Sequence, residues 1–333
     1  MKGTVLYLLI LIIIIPLPVA LAHTPLKLEE DNHSLETALE IKNPTKSWTL
    51  YREIHETDEA YYYKLDLRPG ERLVISLYAP RNEDPNFAPN LIVMGPDIQS
   101  KGEVPMHIET PKGVGVAVIE SHRPSKPEYE PFTPSSYFYL ADVDVTISNG
   151  GTYYFAIYEP SSEGRYGLAV GYREVFTLSE WLLIPLNVIS IHMWEGQPLA
   201  FILAPLILTL LIGLGFMFFK IQSRKILSTY LGFIGGLLFI GSGFMTLMQM
   251  LMALTGVEST SSAAITTVFI VLPILMGFQI MRSAHKTNDG LTLKERATLA
   301  ILGVAGLFIW AGILMGPILV LLASVVPGKP QTT

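Results

Sequence analysis

The residues best suited to metal chemistry stand at the start of the predicted exported part of the chain. Ala20-Leu21-Ala22 is the small-x-small pattern of a signal-peptide cleavage site, so segment 1–22 is predicted to be removed and His23 to become the first residue. The amino group and imidazole of such a histidine chelate copper, and Met245, Met248 and Met252 add thioethers that suit Cu(I). Because a methionine stripe in a membrane helix also serves ordinary packing, copper handling is the alternative hypothesis.

No catalytic motif accompanies these residues. The sequence has no cysteine, no hydrolase elbow, no phosphate-binding loop and no zinc-protease motif. Ser242 lies between two glycines, but no histidine or lysine stands in the middle of an apolar segment to activate it. The same segments carry no central charge, which disfavours proton-coupled transport and leaves a small-molecule transporter as the third alternative. We therefore predict that the protein is not an enzyme, and its net charge of −6, with no basic patch, argues against nucleic acid as a partner.

A loop rich in proline and aromatic residues, 123–138, is the predicted partner-binding surface. It contains four prolines and four aromatic residues. Prolines limit the entropy lost when a loop is ordered against a partner, and exposed Tyr and Phe give contact area at low rotamer cost. We therefore predict partner contacts through Arg123, Tyr129, Phe132 and Tyr137. The alternative is a rigid loop that folds onto the chain's own sandwich or helices.

Charge divides the chain into two parts that suit different solvents. Residues 23–176 hold 24 of the 29 acids and 14 of the 23 Lys and Arg residues, a net charge of −10. Their apolar residues come in short alternating runs separated by turns such as Arg68-Pro69-Gly70-Glu71, and Asn149-Gly150-Gly151 marks a hairpin. This pattern predicts an all-β antiparallel sandwich, and about 150 residues can bury a core without disulfides.

Several short motifs in this part occur in the order and spacing of a known domain family. The motifs are 30–38, 58–67 followed by 69–71, 90–96, 151–154 and 164–170. They resemble bacterial and archaeal pre-peptidase C-terminal (PPC) domains over residues 30–171, with one insertion. The resemblance implies a jelly-roll-like sandwich that binds or supports without chemistry. Some members bind calcium through the acidic opening, which implies Glu30 and Asn32 as ligands, although His33 replaces the family's aspartate and weakens that site.

The second part of the chain is built for a membrane. Four apolar segments, 199–219, 226–254, 263–281 and 297–326, are each long enough for a ~30 Å hydrocarbon layer. Lys and Arg residues follow the first and third segments, whereas the loop after the second has none. The positive-inside rule therefore predicts a multi-pass protein of the cell membrane, with the sandwich and the tail 327–333 outside the cytoplasm.

Two further features concern the helices. The stretch 177–198 is too short and too broken to span, and its tryptophans favour a membrane boundary. It predicts an amphipathic helix in the outer interface, or else a buried helix of the exported domain. Gly232-x-x-x-Gly236 and Gly312-x-x-x-Gly316 are close-packing motifs, which we expect to hold the chain's own helices together.

Together these features predict an exported all-β, PPC-like sandwich followed by an α-helical four-span bundle. The main hypothesis for function is non-catalytic: recognition, surface anchoring or service as an accessory subunit of a membrane complex. Its expected partners are membrane lipid and another membrane or surface protein. This hypothesis requires no cofactor. If a metal is bound, the candidate ligands named above would favour calcium or copper.

Overall fold

The structure is a computed structural model that describes residues 24–26, 32–57, 59–220, 226–257, 260–285 and 291–326. Within these residues an all-β part is followed by an all-helical part. The predicted signal peptide 1–22, the candidate ligands His23 and Glu30, and the tail 327–333 lie outside the described residues.

The β part contains strands that form two sheets. The strands are β1 (Thr24–Pro25), β2 (Leu39–Glu40), β3 (Trp48–Ile54), β4 (Ala60–Leu67), β5 (Arg72–Pro80), β6 (Asn90–Gly95), β7 (Gly115–Ile119), β8 (Glu128–Glu130), β9 (Ser135–Thr146), β10 (Gly151–Tyr158) and β11 (Gly164–Val170). The first sheet has the order β1-β3-β11-β5-β9-β8, and the second has the order β2-β4-β10-β6-β7. Neighbouring strands run antiparallel except in the short pairs β1–β3 and β2–β4. The predicted β-rich first part with two sheets is confirmed.

The main core lies between the two sheets. In β4, Tyr63, Leu65 and Leu67 are buried at every second position, as side-chain alternation requires. The Tyr63 ring stacks on Phe155 with 5.0 Å between ring centroids. Its hydroxyl shares a 2.9 Å hydrogen bond with the Tyr166 hydroxyl. Because these hydroxyls pair with each other, the two tyrosines bring large rings into the core without an unsatisfied polar atom.

The helical part follows directly. Its helices are α1 (Leu178–Trp194), α2 (Leu199–Lys220), α3 (Leu227–Ala253), α4 (Ala263–His285), α5 (Leu293–Phe308) and α6 (Met315–Val325). Three of them, α2, α3 and α4, are long and apolar enough to cross a membrane.

Helix α3 is central because its glycines let neighbouring helices approach closely. A Cβ at Gly236 would lie 2.5 Å from Met281 Cγ of α4, and one at Gly232 would lie 2.6 Å from Ala284 Cβ. Other faces of α3 contact α2 and α6. The first glycine motif therefore packs two of the chain's own helices together, as the sequence predicts.

The predicted fourth span is not one helix. In the turn between α5 and α6, Trp310, Ile313 and Leu314 have positive φ angles of 57°, 49° and 61°. These left-handed conformations stop a right-handed helix. Gly312 lies in the same turn at φ 69°. A Cβ at Gly312 would lie 3.0 Å from Phe239 Cδ2 of α3, and one at Gly316 would lie 2.9 Å from the same atom, so both glycines of the second motif pack against α3.

Helices α5 and α6 instead run antiparallel as a hairpin whose two ends lie together. The Arg296 guanidinium in α5 donates to the carbonyl oxygens of Ser324 and Val326, at 2.9 and 2.7 Å. At the tip, the Gly312 N–H donates to Ser242 Oγ of α3 at 2.8 Å. The single long helix predicted over 297–326 is therefore replaced by two helices and a turn. Apolar composition does not distinguish one long helix from two short ones, whereas these tertiary hydrogen bonds do.

Helix α1 lies between the sandwich and the tip of the hairpin. Thr177 and Glu180 form a capping box at its start. Ser242, which marks the depth of the tip, is fifteen residues after the start of α3. That distance is about 22 Å at 1.5 Å per residue, so the tip lies well short of the far end of α3. The Trp310 Nε1–H donates to the Trp181 carbonyl oxygen of α1 at 3.0 Å, so α1 covers the tip.

Single cysteine substitutions test the hairpin, because the natural chain has no cysteine. Asn288→Cys and Gln331→Cys should react with a membrane-impermeant maleimide from the same side of sealed vesicles, since the hairpin returns the chain to the end where α5 began. Ser261→Cys, between α3 and α4, is the control and should react from the opposite side. Labelling of positions 288 and 331 from opposite sides would show instead that α5 and α6 together cross the membrane.

Candidate functional site

Loop 123–138 turns three of its four predicted contact residues toward the helices. The Tyr129 hydroxyl lies 2.7 Å from Thr266 Oγ1 of α4. Phe132 meets Phe269 of α4 edge to face, with 6.5 Å between ring centroids. The Tyr137 hydroxyl donates to Glu195 Oε1 at 2.7 Å.

These contacts leave little of the predicted surface exposed. Tyr129 and Tyr137 are 8% and 4% exposed. Arg123 is also used within the chain, because it donates to the carbonyl oxygens of Asp84 and Phe87 at 2.6 and 3.2 Å. The loop thus folds onto the chain's own helices and sandwich, which is the alternative stated from the sequence. Proline and aromatic content predicted a contact surface, but it did not show that the contact is internal.

Asn32, the one predicted calcium ligand among the described residues, is in a structural position. It is 1% exposed, and its amide donates to the Tyr62 carbonyl oxygen at 2.9 Å. Its Oδ1 accepts from the Arg52 guanidinium at 2.7 Å. Both polar atoms of the Asn32 amide are therefore engaged within the chain, and the guanidinium competes with a cation for that oxygen. In the described ranges, no group of three or more His, Asp or Glu side chains could hold a metal ion.

The structure instead reveals a cavity between the first sheet and α1, which we call the junction cavity. Its volume is about 160 Å³. One wall consists of four tyrosines on the outer face of the first sheet: Tyr51, Tyr78, Tyr137 and Tyr139. The other wall consists of Phe132, Phe176 and Trp310, with Ile184 and Val188 of α1. The space stays open because Ala169 at the end of β11 and Gly171 just after the strand are the small residues that border it there.

Glu130 is the acid of the junction cavity that has no ionic partner among the described residues. Its Oε1 accepts from the Phe132 N–H at 3.0 Å. Burial, and to a smaller extent the charge of Glu174, raise the pKa of Glu130 to about 7 in spite of the lowering effect of that hydrogen bond. The second acid of the lining, Glu180, is held in an ion pair with Lys46 at 2.6 Å. The carboxyl group of Glu130 therefore changes its charge near neutral pH.

A buried polar chain lies beside this cavity, where α1 ends. His192 Nδ1 lies 2.9 Å from Glu195 Oε2, and the other oxygen of that carboxylate accepts from Tyr137. Burial, and the charge of Glu195, raise the pKa of Tyr137 well above its ordinary value. The spacing of His192 and Glu195, three residues apart in a helix, was the sequence signal for this pair, and it was missed. His192 also borders a second cavity of about 90 Å³ between α1 and the other helices.

Further polar contacts hold the sandwich on the helices. The Arg81 guanidinium donates to Thr255 Oγ1 at 2.8 Å, beyond the end of α3. The Arg165 guanidinium donates to the Trp194 carbonyl oxygen at 2.9 Å and to Glu83 at 2.6 Å. Together with Tyr137, these residues join three strands or strand ends of the first sheet to the helical part. The sandwich is therefore docked on the helices through one of its two sheets.

Comparison with known proteins identifies no relative: no family model and no curated protein matches the chain. The chemistry available at the junction is therefore read from its geometry. The arrangement offers an aromatic cavity with one titratable carboxyl group, and it contains no nucleophile paired with a base among the residues that line it.

The variant Glu130→Gln should change the pH dependence of stability. The folded-state pKa of Glu130 is raised above its ordinary 4.5, so its stabilising proton is fully bound below pH 4.5 and is lost as pH rises through about 7. We expect the melting temperature of the wild type in detergent to fall between pH 5 and pH 8 more than that of Glu130→Gln. The loss of the proton corresponds to at most about 3 kcal/mol in the free energy of unfolding.

Glu163→Gln, at an exposed position, is the matched control and should behave as the wild type does. Tryptophan fluorescence melts at a series of pH values would measure the difference. Parallel pH profiles for the wild type and Glu130→Gln would contradict the raised pKa.

Proposed function

We propose that this protein is a non-catalytic, multi-pass membrane protein that displays an extracytoplasmic PPC-like sandwich for recognition, as an anchor or as an accessory subunit of a membrane complex. The observation that supports this proposal is the one-sided docking of the sandwich. Its first sheet faces α1 and the hairpin, and the outer face of its second sheet is turned away from the helices.

Loop 96–114 covers the outer face of the second sheet and is held there by packing and hydrogen bonds. Ile108 is buried against the sheet, and the Glu109 N–H donates to the Tyr62 hydroxyl at 2.8 Å. The Glu109 carboxylate in turn accepts from the Leu35 N–H at 2.9 Å. Two residues before Ile108, Met106 is fully exposed to solvent. A flexible apolar side chain presented by an ordered loop suits the centre of a protein contact.

Charge supports the orientation within this proposal. Lys and Arg residues cluster just before α3 and around the start of α5, the first helix of the hairpin. This end of the helices is the one assigned to the cytoplasm. The sandwich contacts the opposite end, near Thr255. With the hairpin in place, the tail 327–333 is proposed to return to the cytoplasmic side, which replaces the exterior tail expected from a fourth crossing.

Met106→Ser tests the recognition surface. We expect it to reduce the recovery of a protein that co-purifies with the wild type from native membranes about fivefold or more, equivalent to ~1 kcal/mol, because an interface anchor would lose its apolar contact. The matched control is Val145→Ser on β9, which removes a 41% exposed apolar side chain from the first sheet.

Quantitative mass spectrometry of proteins retained in a mild detergent would measure recovery. If both variants retain the same partner equally, the loop is not the recognition surface. If the wild type retains no protein in stoichiometric amount, the accessory-subunit proposal fails.

A further inference from the structure

The junction cavity has an unusual charge balance for a buried space. Among the described residues that line it there are two acids, Glu130 and Glu180, and no Lys, Arg or His. Glu180 is already paired with Lys46, and its second oxygen accepts from the Thr177 N–H at 2.7 Å. Glu130 uses one oxygen for the Phe132 N–H, and no described residue donates to the other. One carboxylate oxygen therefore remains available to a ligand.

Aromatic rings surround the space that this carboxyl group borders. The hydroxyls of Tyr78 and Tyr137 are engaged with Thr49 and Glu195, at 2.8 and 2.7 Å, so these tyrosines offer mainly their rings. Ring faces attract cations through their quadrupole, and the attraction is strongest where water is excluded. Aromatic rings beside a single carboxylate are the surroundings that stabilise an organic cation.

The volume limits the size of the group that fits. An apolar cavity of about 150 Å³ holds a molecule the size of benzene. The junction cavity, at about 160 Å³, is therefore large enough for a methylated ammonium group and too small for a whole lipid. We propose that the junction cavity binds an organic ammonium group, with Glu130 as its counter-ion and the tyrosine, phenylalanine and tryptophan rings as its cage.

Two sources could supply this group, and the chemistry of the site is the same for both. One is a free quaternary amine, and the other is the headgroup of a choline lipid. The second is within reach because Leu183 and Leu186 of α1, the helix that forms one wall, are exposed where lipid would lie. The experiment therefore needs an arm that separates the two.

Binding of a cation should depend on pH through Glu130, because a neutral carboxyl group is a poor counter-ion. Glu174 lies close enough to act on Glu130. Glu180 faces the same cavity from α1, and its charge is paired with Lys46, which lies outside the lining. Burial raises the pKa of each of the four tyrosines of the sheet wall, so they stay neutral over the working range. Affinity should therefore fall as pH drops below about 7, approaching tenfold per pH unit.

The test uses the full-length protein in a maltoside detergent and titrates choline by calorimetry at pH 8. Its neutral isostere 3,3-dimethyl-1-butanol is the matched ligand control. We expect choline to bind at least tenfold more tightly than the isostere. Glu130→Gln should reduce choline affinity at least tenfold, and Glu163→Gln should leave it unchanged. Phe176→Leu, which keeps an apolar side chain but removes a ring, should reduce it severalfold.

Equal binding of choline and its isostere, or no binding of either, would overturn the proposal. So would full choline affinity in Glu130→Gln. Should that variant fail to fold, the pH series on the wild type and the Phe176→Leu titration decide in its place. A choline affinity that does not change from pH 5 to pH 8 would contradict the role of Glu130 as the counter-ion.

Nanodiscs separate the two sources. If phosphatidylcholine nanodiscs abolish choline binding while phosphatidylglycerol nanodiscs preserve it, the lipid headgroup occupies the site. If choline binds equally in both, the site takes the free amine. Either result supports the site and assigns its source.

Discussion

A helix that breaks within a membrane is tolerated only where other groups satisfy the backbone atoms that the break frees. In this protein the break lies between α5 and α6, and Ser242 of α3 accepts from the turn. Arg296 satisfies the carbonyl oxygens at the end of α6, which holds the hairpin closed. The rest of the junction depends on this hairpin. Because its tip ends beside the middle of α3, α1 packs over the tip through the Trp310–Trp181 contact.

The sandwich is then positioned by α1 and the ends of α3 and α4. Its contacts with them are mostly buried or half-buried hydrogen bonds and ion pairs, such as Tyr137 with Glu195 and Lys46 with Glu180. Buried polar pairs add little net stability, because desolvation offsets their attraction, but each has only one good geometry. They are therefore suited to fixing an orientation. This explains how one sheet of the sandwich is committed to the helices while the outer face of the other is turned away from them.

The same arrangement accounts for the junction cavity. Aromatic side chains from the first sheet, from Phe176 just before α1, from the loop and from the hairpin tip meet across Ala169 and Gly171, and they leave an open space between them. Glu130 belongs to a loop that the sequence marked for contact with a partner. Its neighbours Tyr129 and Phe132 do make contacts, but with α4 of the same chain. The loop is thus part of the wall of a cavity, and its aromatic content serves that wall.

The sequence by itself determined the features that each segment carries alone. Hydropathy and charge separated a β-rich acidic part from an apolar helical part and identified α2, α3 and α4 as long apolar helices. Alternating apolar runs and turn residues predicted the β-rich part, and the glycine motifs predicted close helix packing, because these patterns act over a few neighbouring residues. Only the tertiary structure showed that segment 297–326 forms a helical hairpin and that Asn32 accepts a hydrogen bond from Arg52. It also showed that His192 and Glu130 line cavities. Those outcomes depend on partners distant in sequence, as between Ser242 and Gly312, 70 residues apart, or Arg81 and Thr255, 174 apart. A local sequence pattern holds no information about which distant residue will form a hydrogen bond with a given polar atom. In this protein such long-range hydrogen bonds determine how the helices and the sandwich pack together.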